Sequence, residues 1–154
     1  MAEFEVVRSA VITAEPARVH ALINDLHEWI RWSPWEDRDP QMRRSYSGRN
    51  SGVGARYAWS GNRTVGAGAM EIVDSAQREI ALRLDFSKPM KATNQVTFIL
   101  DPVETGTEVT WRMTGTQSGL TAVIGKLLRM DRSVGRDFEN GLARLQEAAT
   151  ADQT

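Results

Sequence analysis

Residues 119–149, GLTAVIGKLLRMDRSVGRDFENGLARLQEAA, decide how the rest of the chain must be arranged. Leu120, Ile124, Leu127, Leu128, Val134, Phe138, Leu142 and Leu145 recur at helical spacing, about 100° per residue, and share one face. Lys126, Arg129, Ser133, Arg136, Asn140 and Arg144 take the opposite face. No proline follows Pro102, so the spacing predicts one unbroken helix of about 30 residues, ~45 Å long at 1.5 Å per residue. A stripe that long needs an apolar surface of matching length to cover.

The preceding residues supply that surface. From about 43 to 115 the hydrophobic period is two: Ile80, Leu82, Leu84 and Phe86 alternate with Ala81, Arg83 and Asp85, as do Val96, Phe98, Leu100 and Val109, Trp111, Met113 with their neighbours. Strands are expected over 43–48, 53–60, 64–74, 78–86, 92–101 and 107–115, with turns at Ser51-Gly52, Gly61-Asn62, Ser75-Ala76, Lys88-Pro89 and Glu104-Thr105-Gly106. Short connections and one-sided alternation indicate an antiparallel sheet with one buried face. Upstream, 4–13 reads as a further strand, and Pro16 opens a helix to about residue 27 carrying Val19, Leu22, Ile23 and Leu26. Residues 28–41 read as a short helix or bent loop bearing Trp29, Trp32 and Trp35.

Composition bounds the function. The chain has 154 residues, 41% hydrophobic and 25% charged, which suits one globular domain across 1–154 with a frayed tail from about 150. The absence of cysteine removes disulfides, thiolate metal sites and thiol catalysis. A formal charge of -1 forces no large electrostatic footprint for nucleic acid, and no nucleic-acid partner is expected. The first residues lack a basic start with an apolar run, and no stretch approaches the ~18 apolar residues of a spanning helix. A cytoplasmic location without stable membrane insertion is therefore expected.

Strand, helix, six strands and a long amphipathic helix make an α+β order, in which the last helix must cover the sheet. A sheet curled round one helix leaves space between them, and a ligand belongs there. The chain resembles the START-like (SRPBCC) superfamily in its polyketide cyclase/dehydrase-like branch. The resemblance rests on Ile12-Thr13-Ala14-Glu15-Pro16 with Val19, on Trp29 to Trp35 (WIRWSPW), on Lys88-Pro89-Met90, and most clearly on Gly106 to Gly115 (GTEVTWRMTG), and it spans about 3–147. It implies the helix-grip fold, a curved antiparallel sheet wrapped round a long C-terminal helix, with an internal cavity for apolar or aromatic small molecules.

On that expectation Trp59, Met70, Leu84, Phe98, Trp111 and Met113 line the cavity from the sheet, and Leu128, Asp131, Gly135 and Phe138 from the helix. Trp32 and Trp35 stand as candidates for its mouth. Asp131 lies within the apolar stripe, where an unpaired carboxylate is costly. It either serves a ligand, as a hydrogen-bonding or acid–base group, or is held in an ion pair or at solvent. Gly135 costs ~1 kcal/mol against alanine in mid-helix, so a strand or a ligand needs its space. Asn94, Thr97 and Arg83 are further polar candidates whose strand register decides their direction.

Other chemistry finds no support. His20 and His27 lack a third ligand, Asp25 and His27 are read as pointing apart, and no metal or cofactor is expected. Gly119 to Gly125-Lys126 misses the phosphate-loop spacing, Gly66-Ala67-Gly68 does not join a strand to a helix, and no GxSxG occurs. Glu36, Asp37 and Asp39 read as solvated loop, and Lys126, Arg129, Arg132, Arg136 and Arg144 as a basic strip. Three functions follow: a carrier or sensor of a hydrophobic or aromatic small molecule (lipid- or polyketide-like); a polyketide cyclase, aromatase or dehydratase that positions its substrate beside Asp131; or a protein-interaction module using the basic strip. Enzymatic turnover and oligomeric state stay open.

Overall fold

The structure is a computed structural model that describes residues 2–36, 38–62, 65–88, 91–117 and 123–151, with the side chains of 2–3, 116–117 and 123–131 left out of the description. The elements run β1 (Ala2–Ile12), α1 (Pro16–Asn24), a 3-10 helix (Leu26–Arg31), β2 (Arg43–Gly48), β3 (Ala55–Ser60), β4 (Ala67–Ala76), β5 (Glu79–Lys88), β6 (Ala92–Val103), β7 (Gly106–Gln117) and α2 (Val123–Ala151). The seven strands form one sheet in the order β1-β7-β6-β5-β4-β3-β2. Every pairing is antiparallel. The sheet is open, since β1 and β2 stand at opposite edges. Two register shifts in the β4–β5 pair, at Ala67/Gly68 and Ile72/Asp74, add the local bends that help a sheet curl. This is the α+β helix-grip architecture.

The period-two pattern becomes rows across the inner face. One row runs Trp59–Gly68–Phe86; the next runs Tyr57–Met70–Leu84–Asn94–Gly115–Phe4. A third is Ile72–Leu82–Val96–Met113–Val6, and a fourth is Ile80–Phe98–Trp111. Arg83 and Thr97 fall on the opposite face, where Arg83 pairs with Glu71 and Asp85. Among the polar sheet candidates, Asn94 is the one turned inward, and it is buried.

Helix α1 starts as the sequence dictates, with Pro16 in its first turn, and buries Val19, Leu22 and Ile23. It stops at Asn24, three residues before the expected end. Asp25 there takes extended backbone, and its carboxylate accepts from the His27 backbone N–H at 2.9 Å, starting the 3-10 helix. The same Oδ1 lies 2.9 Å from His27 Nδ1, so the two side chains meet instead of diverging. The reason is the break in the helix: the expected α-helical spacing does not run through Asp25. Trp29 and Trp32 then turn back, their indole N–H groups donating to the Ile23 and Leu22 carbonyls at 2.8 Å. These satisfy acceptors that the end of α1 leaves without helical partners.

Helix α2 packs chiefly on β1, with smaller contacts to β7, α1 and the 3-10 helix. Phe138 stacks on Trp111 with ring centroids 4.1 Å apart and 5° between planes. Gly141 makes that approach possible, because a Cβ there would meet Trp111 at 2.8 Å and Pro34 at 3.0 Å. Among the described residues, no helix is long and apolar enough to cross a membrane.

Candidate functional site

Helix α2 lies over the β1–β7 side of the inner face, α1 adds cover around β6 and β7, and the 3-10 helix touches β3 while its Trp29 ring reaches Phe98 and Trp111. Over β3, β4 and β5 the cover is incomplete, and a partly enclosed cavity of about 200 Å³ remains. The Tyr57, Trp59, Met70, Leu84 and Phe86 side chains form its floor, with Leu82, Val96, Met113 and Trp111 extending it toward β7. Val134 and Phe138 come from α2, and Trp29, Ser33, Trp35, Glu36, Met42 and Val65 from the segments before β2 and β4. Rings and thioethers dominate this wall, a composition suited to flat apolar molecules.

Trp35 is held in place from the helix. Its indole N–H donates to Asp137 Oδ2 at 3.1 Å, and Arg38 donates to both Asp137 oxygens, at 3.3 and 2.5 Å. Arg144 donates to the Ser33 carbonyl at 3.2 Å, tying the same segment down a second time. Trp59 is fixed by its own indole N–H, which donates to the Val65 carbonyl at 2.8 Å. Gly68 gives the Trp59 ring its seat, since a Cβ there would stand 2.7 Å from the ring and 2.5 Å from the Asp85 carbonyl oxygen.

Among the described residues, the wall carries one charged cluster. Glu36, whose side chain is only 9% exposed, accepts from Tyr57 Oη at 3.0 Å on Oε1 and from Arg44 Nε at 2.5 Å on Oε2. Arg44 also donates to the Glu36 backbone carbonyl at 2.8 Å. Burial, and after it the Glu36 carboxylate, push the Tyr57 phenol far above its ordinary value, so it stays protonated and donates. The hydrogen bond to Glu36 raises the Arg44 guanidinium further. Glu36 is thus no solvated loop residue. Asp39 is not one either: it is buried, and accepts from the backbone N–H groups of Gln41 and Asn62 at 2.9 and 2.8 Å.

The expected site residues separate into groups. Trp35, Trp59, Met70, Leu84, Trp111, Met113 and Phe138 come together around the cavity. Phe98 does not reach it, being wholly buried behind Trp111, with ring centroids 4.9 Å apart. Trp32 also has no exposed surface and sits under α1, away from any mouth. At Gly135 the space belongs to the Arg8 guanidinium of β1, into which a Cβ would collide. The side chains of Leu128 and Asp131 lie outside the described residues, as do those of Lys126 and Arg129. Arg132 and Arg136 are exposed.

Among the described residues, no three His, Asp or Glu side chains gather as a metal site would. Tyr57, Phe86 and Val96 were within reach of the alternating pattern, two positions from Trp59, Leu84 and Phe98. Glu36 had no such signal, because its burial depends on Arg44 and Tyr57, which approach it through tertiary pairing.

A family model described as polyketide cyclase/dehydrase and lipid transport matches residues 3–150. No curated protein sequence matches the chain. Solved structures do. A protein of unknown function from Staphylococcus aureus superposes with a TM-score of 0.72 at 13% identity, over 99% of this chain and 98% of its own. A Thermus thermophilus protein gives 0.65 at 20% identity, over 97% and 99%. The di-domain ARO/CYC StfQ of the steffimycin biosynthetic pathway gives 0.72 at 12% identity, over 97% of this chain and 51% of StfQ. At these identities the likeness is one of fold.

Proposed function

The chain belongs to the polyketide cyclase/dehydrase and lipid transport family, and from that premise we propose that it binds a hydrophobic or aromatic small molecule in the cavity over β3–β5, as a carrier or sensor. One observation carries the reading: a cavity of about 200 Å³ walled almost entirely by rings, aliphatic chains and thioethers. Apolar surface left open in this way gains free energy when a ligand covers it, about 25 cal/mol per Å² buried. The volume lies below the ~300–1,000 Å³ of drug-sized sites, so it suits an occupant of one or two rings, or one segment of a longer chain. Trp35 and Trp59 stand at this cavity as fixed flat surfaces, since each has its indole N–H already committed to the protein.

The test is native mass spectrometry of protein purified from its own host, followed by extraction and identification of any bound species. An apolar molecule that copurifies with the wild type and is lost from Met70→Trp, which fills the floor, supports the proposal. A species retained by Met70→Trp overturns the cavity as its location. A bound molecule released chemically altered would replace the carrier reading with a cyclase or dehydratase, the role in which Asp131 is the proposed acid–base group.

A further inference from the structure

We propose that Glu36 reads a hydroxyl on the ligand, so that the cavity selects neutral, hydroxyl-bearing ring compounds over their unsubstituted or O-alkylated counterparts. This inference rests on the binding function proposed above and specifies its ligand class. A carboxylate on the wall of an apolar cavity needs an explanation, because burying it carries a desolvation cost. Arg44 and Tyr57 offset that cost in part. Each Glu36 oxygen has one described partner, Tyr57 on Oε1 and Arg44 on Oε2, whereas each can accept two hydrogen bonds.

What the cluster offers a ligand is therefore acceptor capacity. Tyr57 spends its own proton on Glu36, and its oxygen keeps lone pairs. Both residues line the cavity. An incoming O–H can donate to this pair, while a ligand of the same shape without a donor leaves the acceptors desolvated and unpaired. An anionic ligand is disfavoured, since Arg44 already balances the Glu36 carboxylate. The rest of the wall offers rings and sulfur, which hold the ligand's apolar body.

The experiment compares two probes of nearly equal shape, 2-naphthol and 2-methoxynaphthalene, by isothermal titration calorimetry. Wild type is expected to bind 2-naphthol about tenfold more tightly, the scale of one hydrogen bond to a charged acceptor. Glu36→Gln, its fold checked by thermal melting, is expected to reduce that preference to within about twofold. Tyr57→Phe leaves the carboxylate in place and is expected to keep the preference, and it remains informative where Glu36→Gln does not fold. Equal binding of both probes to wild type overturns the hydroxyl reading while leaving the apolar cavity standing. Retention of the tenfold preference in Glu36→Gln overturns it too, and its loss in Tyr57→Phe would transfer the role to Tyr57. Binding of neither probe overturns the cavity function itself, and this inference with it.

Discussion

The Ile80–Phe98–Trp111 row and the Tyr57–Met70–Leu84 row lie on the same face of the same sheet, and their surroundings differ, although Trp111 at the end of the first also borders the cavity. Over the first, Trp29 and Trp32 descend edge-on to Phe98 and Trp111, with centroids 5.6–6.4 Å apart, and around Ile80 and Phe98 the core is filled. Over the second, no such layer arrives, and half-buried Met70 and Leu84 face a void together with Trp59 and Phe86 of the neighbouring row. A strand's alternation says which side chains face inward. Whether they meet protein or space is decided by the elements opposite.

The sharpest way to test that division is to truncate one indole at each end. Trp32→Ala should cost about 3–5 kcal/mol in urea unfolding, because it empties a site with no exposed surface and frees the Leu22 carbonyl. Trp59→Ala should cost about 1–2 kcal/mol, since its ring already borders a void, yet lower affinity for 2-naphthol at least tenfold. Equal stability losses would break the distinction between a filled and an open end.

Glycine substitutions give the next largest effect. Gly68→Ala should cost about 1–3 kcal/mol, since the new methyl meets the Asp85 carbonyl and the Trp59 ring together, and should change ligand affinity as Trp59 shifts. Gly135→Ala should fall within about 0.5 kcal/mol of wild type. There the obstacle is the flexible end of Arg8, whose ion pair with exposed Glu139 is worth little, and helix propensity favours alanine. A large loss of affinity in Gly135→Ala would show that this turn of α2 does border the ligand.

The smallest effect concerns Asp85, on the outer face of β5. The Thr93 hydroxyl, then Arg83, hold its carboxyl below the ordinary carboxylate range. Because the folded value is depressed, its stabilising contribution is present above the unfolded value of about 3.9 and is lost as pH falls through the folded one. Thr93→Val should raise the Asp85 midpoint toward the ordinary value in an NMR titration, without altering ligand binding. An unchanged midpoint would remove Thr93 as the cause.

Strands and the long helix were legible in the sequence because their signals are periodic and local. The 43–48 strand was placed at its observed bounds, and 107–115 falls inside β7. Residues 24–41 were not legible in detail, because Asp25 ends α1 by a local cap and the tryptophans there act through carbonyls six and ten positions back. For the site, rings and methionines on the inner face could be listed, yet nothing local separated Phe98 from Trp59. Gly135 drew attention by its position in the stripe, whereas Gly141, which admits Trp111, looks the same in sequence. Glu36 was hidden for a related reason: its partner Tyr57 lies 21 residues away, in strand β3.

The link from Trp35 to Asp137 joins residues 102 positions apart, and Phe138 completes the wall beside it. During synthesis, the strands emerge before the helix that supplies those side chains, so a nascent chain has a floor without a finished cavity. A ligand of the proposed kind meets a complete cavity only after that helix has docked. Docking of the helix closes contacts of large sequence separation, a slow kind of step. The inner apolar face therefore stays exposed for some time before the helix covers it.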